Sequence, residues 1–165
     1  MTTAAPRSAD LELRVTGYAH PDAAALIARV QQEYVDRYGS PDESRVDPTE
    51  FDPPTGLFLV GYAGGVPIAT GAWRVSGNLE LGGTSAVEIK RMYVVPEARR
   101  LGYSRRVLAE LERTAAAAGH DVAVLSTGPR QPEAIALYEA CGYAAIPGFG
   151  HYAEYPTLRA FGKRI

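Results

Sequence analysis

Residues 85–108 run Ser-Ala-Val-Glu-Ile-Lys-Arg-Met-Tyr-Val-Val-Pro-Glu-Ala-Arg-Arg-Leu-Gly-Tyr-Ser-Arg-Arg-Val-Leu, and this order constrains the fold more than any other stretch. Residues 87–95 read as a strand, stopped by Pro96, which has no N–H for a ladder. A helix is expected from residue 99 or 101 to residue 118. Between strand and helix lies Arg99-Arg100-Leu101-Gly102-Tyr103-Ser104. A helix N-terminus offers free N–H groups and the positive end of the dipole, which together favour an anion such as phosphate. Arg99, Arg100, Arg105 and Arg106 add positive charge at the same place.

A chain of 165 residues is expected to form one domain with a real core, here over residues 11–165 behind a disordered tail at 1–10. The net charge of −2 argues against a general nucleic-acid binder. No apolar run approaches the roughly 20 residues needed to span a bilayer, so no membrane partner is expected. Residues 1–6 lack the basic-then-apolar layout of a signal peptide. The single cysteine, Cys141, permits no internal disulfide, and a reducing, cytoplasmic setting follows. No metal is expected, because His20, His120 and His151 have no close ligand spacing.

Residues 11–16 alternate apolar and polar, as a half-buried strand does. His20-Pro21-Asp22 opens a helix whose apolar face is Leu26, Ile27, Val30, Tyr34 and Tyr38, and Gly39 ends it. Residues 40–56 hold four prolines and five acids and read as a loop, with a helical turn at 48–51. Residues 57–63 and 66–75 are strands joined through Gly64-Gly65, a hairpin signal. With the strand at 87–95 they form an antiparallel meander. The next helix carries Val107, Leu108, Leu111, Ala115 and Ala118 on one side. It supplies the crossover to a short parallel strand at 121–126. A helix at 131–140, a strand from 143, a loop at 147–156 and a strand from 158 close the chain. The fold class is therefore mixed α/β, of α+β character, in the order β-α-loop-β-β-β-α-β-α-β-β.

That order resembles the GNAT superfamily of N-acetyltransferases, and the likeness spans residues 11–164. Two motifs carry it. The first is Val95-Pro96 followed by Arg99-x-x-Gly102-x-Ser104, with serine where the family has glycine or alanine. The second is Gln131-x-x-Ala134 leading to Leu137-Tyr138 and Gly142-Tyr143, about thirty residues on, with Gln131 where asparagine is common. The resemblance implies a central, mostly antiparallel sheet with a splayed parallel strand pair, flanked by helices. It implies acetyl-CoA as co-substrate and a small-molecule amine or peptide as acceptor, with a homodimer as one oligomeric form. Arg99, Arg100, Leu101, Gly102, Tyr103, Ser104 and Arg105 would hold the pyrophosphate, with Gln131 nearby. The edge at Met92, Tyr93 and Val94 would pair with the peptide-like pantetheine arm.

The same resemblance proposes catalytic residues. Tyr138 matches the tyrosine that gives a proton to the leaving thiol, and its ordinary phenol range lies near that of a thiol. A core tyrosine on an apolar stripe is the competing account. Glu88, eleven residues before Arg99, has the offset of the catalytic glutamate of histone acetyltransferases in the superfamily. Partial burial disfavours a carboxylate's charge and suits a proton acceptor. A solvated strand face, or a water chain doing the same work, is the alternative. The Met92 amide would donate to the developing oxyanion. The acids of 42–52 would attract a cationic amine or simply be solvated. His151, Tyr152 and Tyr155 would line the acceptor site or pack, while Trp73 and Cys141 read as core. A non-catalytic acyl-CoA-binding or sensing module is the second class of function. A P-loop protein is disfavoured, since Gly-Lys-Ser/Thr is missing.

Overall fold

The computed structural model describes residues 10–44 and 46–165, so the expected tail falls, except for Asp10, outside the described residues. Strand β1 (Leu11–Thr16) leads to helix α1 (Pro21–Tyr38), then β2 (Gly56–Ala63), β3 (Val66–Ser76) and β4 (Ala86–Val94). Helix α2 (Tyr103–Ala117), β5 (Val122–Thr127), α3 (Pro132–Ala140), β6 (Ala144–Ile146) and β7 (Arg159–Arg164) complete the chain. The expected element order holds throughout. The sheet runs β1-β2-β3-β4-β5-β7-β6, with every pair antiparallel except β4 and β5.

Local chemistry accounts for the ends. His20 Nδ1 accepts from the Asp22 amide (3.1 Å) and Pro21 fills the first turn of α1. Gly64 and Gly65 both have positive φ (57° and 80°), which a two-residue hairpin of matching twist needs. The turn expected at 48–51 is a short 3-10 helix, and its Phe51 is no loop residue in packing terms. Phe51 is fully buried, stacked on Tyr18 at 5.4 Å and edge-on to Phe58 at 6.4 Å. Helix α2 starts later than expected, at Tyr103, because Pro96–Ala98 form a 3-10 turn and Arg100 and Gly102 take positive φ (64° and 81°). Ala118, expected on its apolar face, lies past the helix end and is exposed.

The two faces of β3 divide the molecule. Trp73 points to α2, its Nε1 donating to Thr114 Oγ1 at 3.0 Å, which settles it as core. Arg74 points the other way, to Glu88 of β4. Beyond Ala72 the β3–β4 register slips, and Gly71 faces both Arg91 and Met92 of a bulge in which Arg91 has φ 56°. Gly71 sits so close to α2 that a Cβ there would come within 2.5 Å of Val107 Cγ1 and 2.9 Å of Leu111 Cδ1. Gly71→Ala is expected to cost about 1–3 kcal/mol by overpacking, read as a lower urea midpoint. An unchanged midpoint would contradict this close seating of α2 on the bulged pair.

Candidate active site

Strands β4 and β5 part company. Their parallel register covers only Ala86 with Val122, Val87 with Ala123 and Glu88 with Val124. Beyond that β5 pairs only with β7, and β4 only with β3. Val95 donates its N–H to Ile68 of β3 (2.9 Å), so alternation directs the polar groups of Val94 to the opening. On the other lip, Thr127 Oγ1 is buried with no hydrogen-bond partner. An orphaned buried hydroxyl is costly and fits a polar ligand that lies along the opening.

At one end of the opening stands the start of α2. Gly102 is its N-cap in the left-handed region, and no side chain caps the helix. Its first amides therefore carry the unsatisfied donors and positive dipole end that an anion prefers. Arg100, Gly102 and Arg105 are exposed there, with Leu101 and Ser104 half-buried. Two expected contributors are placed differently. The Tyr103 ring is core, so only its backbone faces the site. Arg99 turns away: Nη2 donates to Glu33 of α1 at 2.8 Å and Nε to the Val94 carbonyl at 2.9 Å. The guanidinium also lies over the buried Tyr93 ring at 5.7 Å. Of the expected pairing edge, the Val94 carbonyl is thus already occupied. Arg37 of α1 ties in α3 as well, reaching Glu133 at 2.6 Å.

On the α1 side of the sheet lies a cavity of about 640 Å³. Glu88 and Lys90, two apart on β4, both line it, so Glu88 is on no merely solvated face. Glu88 is paired with Arg74, whose Nε and Nη2 reach Oε1 at 3.0 and 2.9 Å. Gln131, the N-cap of α3, lines the cavity too. So do His151, Tyr152 and Tyr155 of the late loop.

Asp42 is the residue that sequence reasoning undervalued. Its Oδ2 meets Arg91 Nη1 at 3.0 Å and Lys90 Nζ at 3.5 Å. Its Oδ1 accepts from the Ser44 amide at 2.9 Å and from the Tyr152 hydroxyl at 3.1 Å. Burial opposes this charge, yet Lys90, Ser44 and Arg91 outweigh it and hold the carboxyl well below the usual range. Burial also pulls the Lys90 ammonium down, against the pull of Asp42 and Glu88. Asp42 is therefore no open lure for a cation, being spent on Lys90 and Arg91, while Glu43 stays exposed on the lining. The one local signal was the Glu88/Lys90 alternation; the partners come from distant segments.

Tyr138 is buried, edge-on to Tyr143 at 5.7 Å and tilted against Phe161 at 6.4 Å. It is not among the residues lining the cavity, though Tyr34, which is, lies close enough to act on its charge. Burial, with Tyr34 and Cys141, pushes the Tyr138 hydroxyl above the ordinary phenol range. It is therefore a weaker acid than the sequence suggests, suited to donating a hydrogen bond rather than surrendering a proton. Cys141 packs against the core.

Because the folded-state value of Asp42 is depressed, its contribution to stability is full above the ordinary carboxylate range, begins to fall as pH enters that range and is gone only below the depressed folded-state value. Asp42→Asn is expected to cost about 1–3 kcal/mol near neutral pH, read from urea midpoints. The difference from the parent should narrow below about pH 4. A difference that stays constant down to about pH 3 would contradict the Lys90–Asp42–Arg91 cluster.

Comparison with known proteins gives a consistent picture. A family profile described as "Acetyltransferase (GNAT) family" matches residues 27–143. An "IAA acetyltransferase" of Azospirillum brasilense is 34% identical over 131 residues, covering 79% of this chain and 82% of that protein. A Klebsiella pneumoniae structure, provisionally described as an acyl-CoA N-acyltransferase, superposes with a TM-score of 0.75 at 25% identity, covering 93% and 97% of the two chains. A GNAT family acetyltransferase of Elizabethkingia anophelis with acetyl-CoA bound has a TM-score of 0.66 at 13% identity, covering 94% and 99%. With a family match over most of its length and the splayed β4–β5 pair in place, the chain belongs to the GNAT acetyltransferase family.

Proposed function

We propose that the protein is an acetyl-CoA-dependent N-acetyltransferase that moves an acetyl group to a primary amine by direct transfer in a ternary complex. The observation that carries this is the opening between β4 and β5. It has the uncapped start of α2 at one end, the orphaned Thr127 hydroxyl on its lip and the charged cavity beside it. Acetyl-CoA bound there supplies an activated thioester.

In this account the amides of Leu101 to Arg105 and the side chains of Arg100 and Arg105 hold the pyrophosphate. Arg99 acts at one remove, fixing the loop through Glu33 and Val94. Of the edge at Met92, Tyr93 and Val94, the Val94 N–H is the group left to pair with the pantetheine arm, since Arg99 takes the Val94 carbonyl and Tyr93 faces β3, with Thr127 and Gln131 opposite. The Met92 amide, within the bulge, faces the charge that develops on the acyl oxygen. Glu88, kept in place by Arg74, takes the amine's proton directly or through water. Tyr138 donates a hydrogen bond to the departing sulfur. Holding amine and thioester together lowers the barrier by several kcal/mol, up to about 7–11 in favourable cases. Among the described residues no helix is long and apolar enough to cross a membrane.

Two variants separate binding from turnover. Gly102→Glu places a bulky anion at a left-handed position beside the helix start. It should weaken acetyl-CoA binding at least about 100-fold by calorimetry. Tyr138→Phe keeps the ring packing and should leave binding intact while lowering kcat roughly 10- to 100-fold. Unchanged affinity in the first variant would refute the phosphate site, and an unchanged rate in the second would remove Tyr138 from the reaction.

A further inference from the structure

The lining of the cavity narrows the acceptor. Its charges are closed on one another. Glu88 is held by Arg74, which Glu50 also approaches at 3.7 Å, and Asp42 is held by Lys90 and Arg91. The side chains of Arg74 and Glu88 are only 14% and 15% exposed, so this pair is largely withdrawn from water. The remaining acid on the lining, Glu43, is exposed at the rim. Inside the rim, a second cation or a carboxylate on the acceptor would have to displace a partner from one of these pairs. Separating partly buried partners leaves a charge poorly compensated, which strongly disfavours binding. Polyamines and amino acids are therefore poor fits to this wall.

The rest of the lining is rich in aromatic rings: Tyr34, Tyr38, Phe149, His151, Tyr152 and Tyr155. Tyr152 is fixed from two sides, its hydroxyl donating to Asp42 and accepting from the Glu43 amide at 2.7 Å. Its ring meets His151 edge-on at 4.6 Å and Tyr155 edge-on at 5.4 Å. Tyr155 itself is 59% exposed at the mouth, an uncovered ring joined to an ordered aromatic surface. Each ring–ring contact with a ligand favours binding roughly 2- to 10-fold beyond the area it buries. An ammonium over such a face gains a comparable factor. The volume of about 640 Å³ is within the usual range for small-molecule sites.

We infer that the acceptor is a small arylalkyl primary monoamine, with an aromatic body, one amine and no further charge. This rests on the N-acetyltransfer proposed above. The overall change is amine plus acetyl thioester giving amide plus free thiol, with the C–N bond formed and the C–S bond broken. One amine proton is lost to Glu88 or solvent and one proton ends on the thiol, so no further reactant is needed.

The test is a thiol-release assay on the full chain with acetyl-CoA and three acceptors: 2-phenylethylamine, spermidine and phenylalanine. The expected kcat/KM for 2-phenylethylamine is at least about tenfold above both others. Tyr155→Ala should raise the KM for that amine roughly tenfold without moving the KM for acetyl-CoA, and Tyr155→Phe should restore it. Preference for spermidine or phenylalanine would overturn the acceptor class and leave N-acetyltransfer standing. An unmoved amine KM in Tyr155→Ala would overturn the aromatic lining. Turnover of none of the three, with acetyl-CoA binding intact by calorimetry, would overturn the acceptor class alone, whereas loss of acetyl-CoA binding by the unmodified chain would overturn the acetyltransfer reading beneath it.

Discussion

Arg91 holds the kink on which the site depends. Its backbone is in the left-handed region (φ 56°), where an L-residue is strained by roughly 1–2 kcal/mol. Three contacts offset that cost. The guanidinium reaches Asp42 at 3.0 Å and the Tyr18 hydroxyl at 3.3 Å, and the Arg91 carbonyl accepts from Thr70 Oγ1 at 2.6 Å. The bulge so fixed coincides with the stretch where β4 is free of β5. The same guanidinium anchors loop 40–44 through Asp42. Strand kink and cavity wall are thus one unit.

The charges of the site divide by role. Those of the cavity wall are paired among themselves through Arg74 with Glu88 and Glu50 and through Lys90–Asp42–Arg91. At the start of α2 the neighbouring ion pairs leave the helix end itself uncapped: Arg99 is drawn to Glu33, and Arg29 to Glu97 at 3.0 Å. What is left for an anion is backbone N–H groups with Arg100 and Arg105 exposed beside them. Backbone donors cost no reorganisation when a ligand arrives, whereas Arg99 would have to break two contacts.

Much of this was legible in the sequence, for reasons particular residues make clear. Pro21, Gly39, Gly64-Gly65 and Pro96 punctuate the chain through local backbone chemistry, so element order followed from them. The alternation of Glu88 and Lys90 placed them on one face. Long-range partners were not legible. Glu88 finds Arg74 across a strand pair, Lys90 finds Asp42 forty-eight positions away, and Tyr152 finds Asp42 at a separation of 110. Nothing in a local pattern encodes such pairings. The burial of Tyr138, and with it the weakening of its acidity, likewise comes from Tyr143 and Phe161 packed on it.

The central claim is that the opening between β4 and β5 receives the thioester. The most direct measurement is a crystal structure with a non-transferable thioether analogue of acetyl-CoA. The account predicts the pyrophosphate on the amides of residues 101–105, the pantetheine arm between Val94 and Thr127, and the acyl end beside Glu88. An analogue bound anywhere else, with β4 and β5 still empty between them, would contradict it.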